Sequence, residues 1–370
     1  MNRRRFTALS SFASLLFACA CLASIAFAQN NSPARPAYLA LPPHSYYALE
    51  PGGTPVTQWN GGFTDLTHQK ITFTMIGTDP HKTDITTTVP VFLVPIKMVY
   101  PKGNGNMTFD PNKDKVSNGQ TFTKMILGSP IFQSTVDFKQ GGIDVGKTQY
   151  VDAFQRANFW SVVKKNNKYH VLLGKATVLP EQTITVSAAH GTVIINPVSG
   201  KGFVGTYDFN SWDPILQGYM KKLKQIQPNG LALFVTHDIY LTSGQFIVGG
   251  YHTATAVQPN GQTYAYTTSV DQQTPVVFAQ DVSALSHELG EWMDDPFTDN
   301  NVNCQDNSIL EVGDPLESGP NFGTFPYKVG NFTYNIQSLV FLGYFGAPRS
   351  TSLLKWLSFQ NDEKHVCPGQ

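Results

Sequence analysis

Charged residues are scarce in this chain of 370 residues: they make up 14% of it, with 26 Lys and Arg against 26 Asp and Glu. No long run of one sign occurs, so we expect no nucleic-acid partner. Apolar residues make up 41% and aromatic residues 12%, which excludes a disordered chain. The composition also excludes a collagen, a coiled coil and a polytopic membrane protein. The length favours about two globular domains, each able to bury its own core.

The N-terminal 28 residues have the features of an export signal. Three consecutive arginines, at positions 3–5, precede a small and apolar stretch at positions 8–28. Its last residues, Ala26-Phe27-Ala28, satisfy the small-x-small rule, so we expect cleavage after Ala28. The sequence therefore predicts a secreted or periplasmic bacterial protein, with no membrane contact once the signal has been removed.

Cysteine is rare, with four residues in the whole chain. Cys19 and Cys21 lie within the predicted signal and would be removed with it. The remaining pair, Cys304 and Cys367, would then enter an oxidising compartment, where two cysteines most simply form one disulfide.

Residues 29–205 are predicted to form a β-rich, sandwich-like domain. Alternating or β-branched residues at positions 71–75 and 86–100 favour strands, and turns rich in Gly and Asn separate such segments. Residues 152–165 favour a helix. Titratable side chains do not concentrate in this region, so we interpret it as a scaffold or recognition domain.

Residues 206–370 are predicted to form a second domain, and the fold class of the whole chain is therefore α+β. A helix begins at Ser211, the predicted N-cap, and apolar residues recur at helical spacing as far as Ile226. Strands are predicted at 231–241, 246–257 and 262–270, with a hairpin turn at the Pro-Asn-Gly sequence between the last two.

A second helix of this domain carries the strongest functional pattern. It is predicted to begin at a capping Asp281 and to end at Pro296. His287 and Glu291 are four positions apart and therefore lie on one face of the helix, about 6 Å apart. An imidazole and a carboxylate so placed can both bind Zn²⁺, and Glu288 can accept a proton from a water that the metal activates.

A solvated polar face on an ordinary amphipathic helix is the alternative interpretation of this pattern. Gly290 argues against it, because a glycine within a helix costs about 1 kcal/mol relative to alanine and so suggests close approach by another element or by a substrate. A third metal ligand is expected downstream. Glu311 is the favoured candidate, and Asp314 either orients His287 or binds the metal itself.

The sequence His287-Glu288-Leu-Gly-Glu291 and its helix-strand-helix setting resemble the zincin metallopeptidases, and Glu311 resembles the third ligand of their gluzincin branch. The resemblance implies a secreted Zn²⁺-dependent peptidase that acts on a peptide or protein substrate. It also implies that Glu288 is the general base and that residues 262–270 are the edge strand that pairs with substrate. Glu291 stands where that family has a second histidine, and a ligand set so rich in carboxylates suits another divalent metal as well.

The same segment, with its later Glu311 and Asp314, also resembles the exordium-like secreted proteins, although Cys304 lies before Glu311 rather than just after Asp314. That resemblance implies extracellular signalling or wall biology. The rival hypothesis is therefore a secreted or cell-surface binding protein with a structural or degenerate metal site, and a third is a β-sandwich adhesin with a coincidental helix motif.

A peptidase also needs a group that stabilises the negative charge on the carbonyl oxygen. The sequence offers four candidates without ranking them: His252, Tyr334, Tyr344 and His365. It gives no argument for an oligomeric state.

Overall fold

The computed structural model describes residues 35–43, 53–165, 168–259, 261–270, 277–305, 308–348 and 356–367. The predicted export signal and its cleavage site lie outside these residues. Within them the protein is α+β and rich in strands, which confirms the predicted fold class. Pro33–Gln370 form one compact unit.

The described residues contain six α-helices and nineteen strands. The helices are α1 (Phe122–Leu127), α2 (Tyr150–Asn158), α3 (Trp160–Val163), α4 (Phe209–Lys222), α5 (Ser283–Asp294) and α6 (Asp314–Glu317). The strands are β1 (Arg35–Ala40), β2 (Gln58–Thr64), β3 (Lys70–Ile76), β4 (Thr86–Val89), β5 (Val91–Tyr100), β6 (Met107–Phe109), β7 (Val136–Gln140), β8 (Ile143–Thr148), β9 (His170–Leu173), β10 (Thr177–Val178), β11 (Gln182–Thr185), β12 (Val193–Ile195), β13 (Phe203–Asp208), β14 (Leu231–His237), β15 (Ile239–Ser243), β16 (Phe246–Ala254), β17 (Thr263–Ser269), β18 (Thr324–Val329) and β19 (Phe332–Gln337).

A large mixed sheet organises the fold. Its strands follow the order β10-β5-β14-β17-β16-β15-β13-β12, with β1 added to β16 and with β6 and β11 added to β5. β14 runs parallel to both β5 and β17, whereas β16 is antiparallel to β15 and β17. Strands from both sides of residue 205 are neighbours in this sheet, so the two regions that the sequence analysis separates there share one sheet.

Helices cover both faces of this sheet. Along the fully buried β14, Leu231 and Leu233 pack in the apolar cluster that includes the buried side of α5, whereas Ala232 and Phe234 pack in the cluster that includes α4. Successive strand residues point to opposite faces, so a continuous apolar run is what a strand buried on both faces requires.

The structure corrects several predicted boundaries. The strand predicted at 231–241 is two strands, β14 and β15, because Asp238 between them has a left-handed backbone with a φ of 50°. α4 begins before Ser211, because the carboxylate of Asp208 caps it by accepting the Ser211 N–H at 2.9 Å. The helix predicted at 152–165 is found as α2 and α3, and α1 is a further helix in the predicted β-rich region.

The prediction that residues 262–270 form an edge strand is wrong. β17 has β14 on one side and β16 on the other, and Thr263–Ser269 are buried throughout. The ring of Tyr266 lies 4.9 Å from that of Trp212 on α4, whereas Ala265 belongs to the cluster on the α5 side. The alternation of Tyr and smaller residues therefore reflects two covered faces rather than one exposed face.

His237, at the end of β14, is held between two carboxylates. Its Nε2 lies 2.9 Å from Asp114 Oδ2 and its Nδ1 lies 2.9 Å from Asp238 Oδ2. Its ring stacks on Phe122 with centroids 4.1 Å apart. Both nitrogens can donate only in the imidazolium form. Burial opposes that charge, but the two carboxylates prevail and raise the pKa of His237 to about 8.

This arrangement predicts a loss of stability at mildly alkaline pH. His237 has an ordinary pKa of 6.5 and a folded-state pKa of about 8, so its contribution is complete below 6.5 and is lost as pH rises to 8. We expect the free energy of unfolding to fall by about 2 kcal/mol over this range. Urea unfolding at several pH values measures it. His237→Gln should remove this part of the slope, and an unchanged slope in that variant would contradict the assignment.

The predicted disulfide is confirmed. Cys304 and Cys367 are bonded, with Cα atoms 5.8 Å apart, and both residues are buried. A disulfide is in keeping with an extracytoplasmic location. Among the described residues, no helix has both the length and the apolar character needed to span a membrane.

Candidate metal centre

The predicted motif helix is α5, and it is buried along its whole length. Its apolar residues pack as expected, but His287, Glu288 and Glu291 are also inaccessible to solvent. A solvated polar face is therefore not the reason for these residues. Buried charges are costly unless they are paired or bind a metal. The burial of these three residues must therefore be explained by pairing or by metal binding.

The helix begins differently from the prediction. Val282, not Asp281, is its N-cap, and Asp281 has a left-handed backbone with a φ of 43°. The Asp281 carboxylate instead accepts N–H groups from Val282 and Asn335, at 2.5 and 2.9 Å, and so joins the helix start to β19. The inference from Gly290 is confirmed, because a Cβ there would lie 2.4 Å from a methyl carbon of Leu339.

Glu291 occupies the centre of the cluster. Its Oε1 accepts the backbone N–H groups of Gly313 at 3.0 Å and Asp314 at 3.3 Å. These bonds fix the carboxylate so that Oε2 lies 3.0 Å from His287 Nε2. Asp314 Oδ1 lies 3.5 Å from the same nitrogen. His287, Glu291 and Asp314 thus bring one ligand atom each into a space where all are within 4.8 Å of one another.

Gly313 is the reason that the loop can approach so closely. A Cβ on Gly313 would lie 2.4 Å from His287 Nδ1. Only a residue without a side chain lets the backbone lie against the imidazole while its N–H reaches Glu291. The sequence Glu311-Val-Gly313-Asp314 therefore serves the site through its backbone as well as through its acids.

A second group of ligand atoms adjoins the first. His252, on β16, has its Nε2 3.1 Å from the carbonyl oxygen of Asp295, to which it donates. Its Nδ1 then faces Glu288 Oε2 at 3.1 Å and Glu291 Oε2 at 3.8 Å. His252, Glu288 and Glu291 form a buried group that could hold a metal ion. A ring N–H held by a backbone carbonyl is the usual way of orienting a histidine ligand.

His252, one of the four candidates for oxyanion stabilisation, lies in the second ligand group. Tyr334 instead donates its hydroxyl to the Met125 carbonyl at 3.2 Å, and the side chain of His365 is 90% exposed beside Glu363. Tyr344 is buried in the apolar cluster that contains the buried side of α5. A sequence signal for His252 did exist in the preceding Gly249-Gly250, because a Cβ at Gly250 would lie 2.7 Å from Glu288 Oε1.

Glu311, the favoured third ligand, lies beside the cluster rather than within either ligand group of the described residues. Its Oε1 is 3.9 Å from His252 Nε2. Burial and the negative charge of Glu291 raise the pKa of Glu311, so both favour the uncharged form of this carboxyl group.

Burial and neighbouring charges also shift the pKa values of the other titratable groups of the cluster. Burial raises the pKa of Glu288 and lowers that of His252 to about 4, so burial favours the uncharged form of both groups. Burial opposes the charge of Glu291, but His287 prevails and lowers the pKa of this carboxyl to about 2. Burial likewise opposes the charge of His287, whose pKa the Glu291 carboxylate raises well above its ordinary value. The charged forms of His287 and Glu291 therefore stabilise each other.

The donor set fits a metal ion. Among the described residues, Glu288 Oε1, Glu291 Oε2 and both ring nitrogens of His287 are buried without a hydrogen-bond partner. His287 Nε2 and Glu291 Oε2 are close, at 3.0 Å, but are not aligned for a hydrogen bond. Two ligands on one tetrahedral Zn²⁺ lie about 3.3 Å apart, given bonds of about 2.0–2.1 Å. The spacings of 3.0 and 3.5 Å around His287 Nε2 are close to that value.

Asp314 is the member of the cluster that reaches solvent, with a side chain that is 37% exposed. The ring of Tyr38 covers His287, with centroids 4.1 Å apart. An open cleft of about 870 Å³ lies elsewhere, against β2, β3 and residues 299–303, and none of the cluster residues lines it. Within the two ligand groups, contact with solvent is therefore made through Asp314.

No protein family matches this sequence, and neither does any curated protein or any solved structure. The case for a function therefore depends on the site itself, since a fold alone does not specify one.

Proposed function

We propose that the chain is an exported metal-dependent hydrolase of peptide bonds, with its centre on α5. The observation that carries the proposal is the group formed by His287, Glu291 and Asp314, with Glu288 next to it. One neutral imidazole and two carboxylates satisfy a divalent ion such as Zn²⁺ and leave a further coordination position. Two of these three ligands are carboxylates, and such a set also suits other divalent metals.

We assign the metal to the group with Asp314 because this group reaches solvent, as a substrate site must. Glu291 is held by two backbone N–H groups, and His287 is packed between Tyr38 and Gly313, so both ligands are fixed before a metal binds. A divalent metal bound there would supply Lewis-acid activation of water and of the substrate carbonyl.

The chain's own residues provide the proton transfers. Glu288 Oε2 lies 3.1 Å from His252 Nδ1, and His252 Nε2 is fixed on the Asp295 carbonyl. With its carboxylate free, Glu288 accepts the proton of the attacking water and returns it to the leaving amine. The contact with His252 Nδ1 keeps the Glu288 carboxyl group in place, so we assign His252 a positioning role.

Export is supported by the disulfide and by the predicted signal. Disulfides such as Cys304–Cys367 form and persist mainly in oxidising compartments. Cleavage after Ala28 would release the chain as a secreted or periplasmic protein.

Metal content and turnover test the proposal together. We expect about one zinc per chain by mass spectrometry in protein purified without chelator, and its loss in Glu291→Ala. Glu288→Gln should keep the metal but lower peptide hydrolysis by about 10²- to 10⁴-fold, because the amide cannot accept the proton. Hydrolysis would be followed with a library of quenched fluorescent peptides.

Two further variants sharpen this experiment. His252→Gln should retain the metal if His287, Glu291 and Asp314 hold it, and should lose it if the His252 group is the site. Glu363→Gln, at a position outside both ligand groups, is the matched control and should change neither quantity. A wild-type chain that takes up no divalent metal, even after one is added, would overturn the proposal.

A secreted or cell-surface binding protein with a structural metal is the second candidate. It is favoured by the complete burial of His252, His287, Glu288 and Glu291, since structural metal sites are closed. For this candidate, Glu288→Gln would change neither metal content nor any activity, and Glu291→Ala would chiefly lower the free energy of unfolding.

A further inference from the structure

We propose that the outer edge of β16 is a binding site for an extended peptide with one aromatic side chain, and that residues 35–42 of this chain occupy it as an internal ligand. The site itself does not depend on a metal. Its interpretation as the substrate cleft rests on the proposed function.

The backbone of β1 is bound on both of its sides. It pairs in parallel with β16 from Arg35 opposite Phe246 to Ala40 opposite His252. At the two ends, the Arg35 N–H donates to the Gln245 carbonyl at 3.0 Å and the Leu41 N–H donates to the His252 carbonyl at 3.3 Å.

The other side of β1 faces α6. The N–H of Tyr38 donates to Glu317 Oε1 at 3.0 Å, and α6 begins with Asp314, one of the candidate ligands. β1 therefore lies in a channel between a strand edge and the helix that carries a ligand of the candidate metal centre. Main-chain pairing of this kind supplies affinity without regard to sequence.

Tyr38 supplies the sequence-dependent contact. It is the one residue of β1 that is classed as buried, at 3% exposure. Its ring lies 4.1 Å from that of His287 and 4.6 Å from that of Phe278, and its hydroxyl is 3.4 Å from Ser283 Oγ. These contacts define a pocket for a phenol or phenyl ring directly over the candidate ligand His287.

The other side chains of β1 restrict the sequence of a bound strand only weakly. They are exposed or partly exposed, and Pro36, Ala37 and Ala40 are small or compact. A strand held by its backbone and by one buried ring can be replaced by another strand with a ring at the same position. Under the proposed function, such a peptide would cross the centre beside His287 and Asp314, and β1 would act as its competitor.

Peptide binding to the full chain, with metal removed by chelator, tests this proposal. The probe is a fluorescein-labelled synthetic peptide of residues 33–42, followed by anisotropy. Tyr38→Ala in the protein weakens its own β1, so we expect this variant to bind the probe about tenfold or more tightly than the wild type does. A probe that carries the Tyr38→Ala change should lose about tenfold or more in affinity, and a Tyr38→Phe probe should lose about threefold or less.

A second variant covers the case in which Tyr38→Ala does not fold. A site for a sequence-specific protease is placed between Pro43 and Gly53, and the folded chain is then cut there. The cut segment should exchange for the labelled peptide. A segment that never exchanges, or a folded Tyr38→Ala chain that does not bind the probe, would overturn the proposal and make β1 a permanent strand. Because no metal is present, either result is separate from the test of metal-dependent hydrolysis.

Discussion

Zinc added at about 1,000 times its dissociation constant is expected to raise the free energy of unfolding by about 4 kcal/mol. The ligand groups of His287 and Glu291 on α5 and of Asp314 on α6 meet only in the folded chain. A metal that needs all three binds the native state and not the unfolded one. Urea unfolding with chelator and with buffered zinc measures the difference.

The burial of acids around α5 is the reason to expect a large effect. Glu288, Glu291 and Glu311 are almost completely inaccessible, as are Asp294 and Asp295 at the end of the helix. Without a metal, folding must remove these groups from water against the charge of His287 alone, or else protonate them. A divalent ion compensates two carboxylates at once, so it relieves a cost that the protein otherwise bears.

Matched variants separate specific binding from general effects of zinc. Glu291→Ala should abolish the increase, because it removes the oxygen that both candidate groups share. Glu363→Ala, at a position outside both groups, should keep it. An equal increase in wild type and Glu291→Ala would mean that zinc stabilises the chain elsewhere.

The chemistry of the centre could be predicted from the sequence wherever its parts are close in the chain. The i, i+4 spacing places His287 and Glu291 on one helical face regardless of the rest of the fold. Glu311 and Asp314 are acids close together in the sequence, and the loop that carries them binds Glu291 through the backbone N–H groups of Gly313 and Asp314. Gly290 predicts that another element approaches the helix closely, and Leu339 is the residue that does so.

Contacts between distant segments could not be predicted in this way. His252 reaches Glu288 across 36 positions, and the neighbouring Gly249-Gly250 indicates a close approach without specifying which segment makes it. Tyr38 reaches His287 from near the start of the described chain. Such contacts are decided by strand order, which follows from the packing of the whole sheet.

The wrong prediction of an edge strand at residues 262–270 shows why a local sequence pattern can mislead. β17 alternates large and small residues, as a half-exposed strand does, but α4 and α5 cover its two faces. The added strand, β1, pairs with β16 instead. Gly249 and Gly250 of β16 allow neighbouring side chains to pack closely against that strand. Alternation of large and small side chains indicates that the two faces of a strand differ, but it does not indicate whether either face is exposed to solvent.

Removal of the disulfide is expected to lower the free energy of unfolding by about 4 kcal/mol. Cys304 and Cys367 are 63 positions apart, and closing a loop of that length restricts the unfolded chain by about this amount in the entropic description. The double variant Cys304→Ser/Cys367→Ser would be compared with the wild type by urea unfolding.

Metal affinity shows whether the disulfide acts on the unfolded chain or on the folded metal centre. The closed loop contains Glu311, Asp314, β18 and β19, so it includes the segment that completes the centre. That segment is also held in the native state by the Gly313 and Asp314 N–H bonds to Glu291 and by the pairing of the Val340 N–H with the Val312 carbonyl at 2.8 Å. Because the disulfide restricts mainly the unfolded chain, zinc affinity of the folded double variant should stay within about threefold of the wild type. A loss of zinc binding without a comparable loss of stability would show instead that the disulfide holds Asp314 in place.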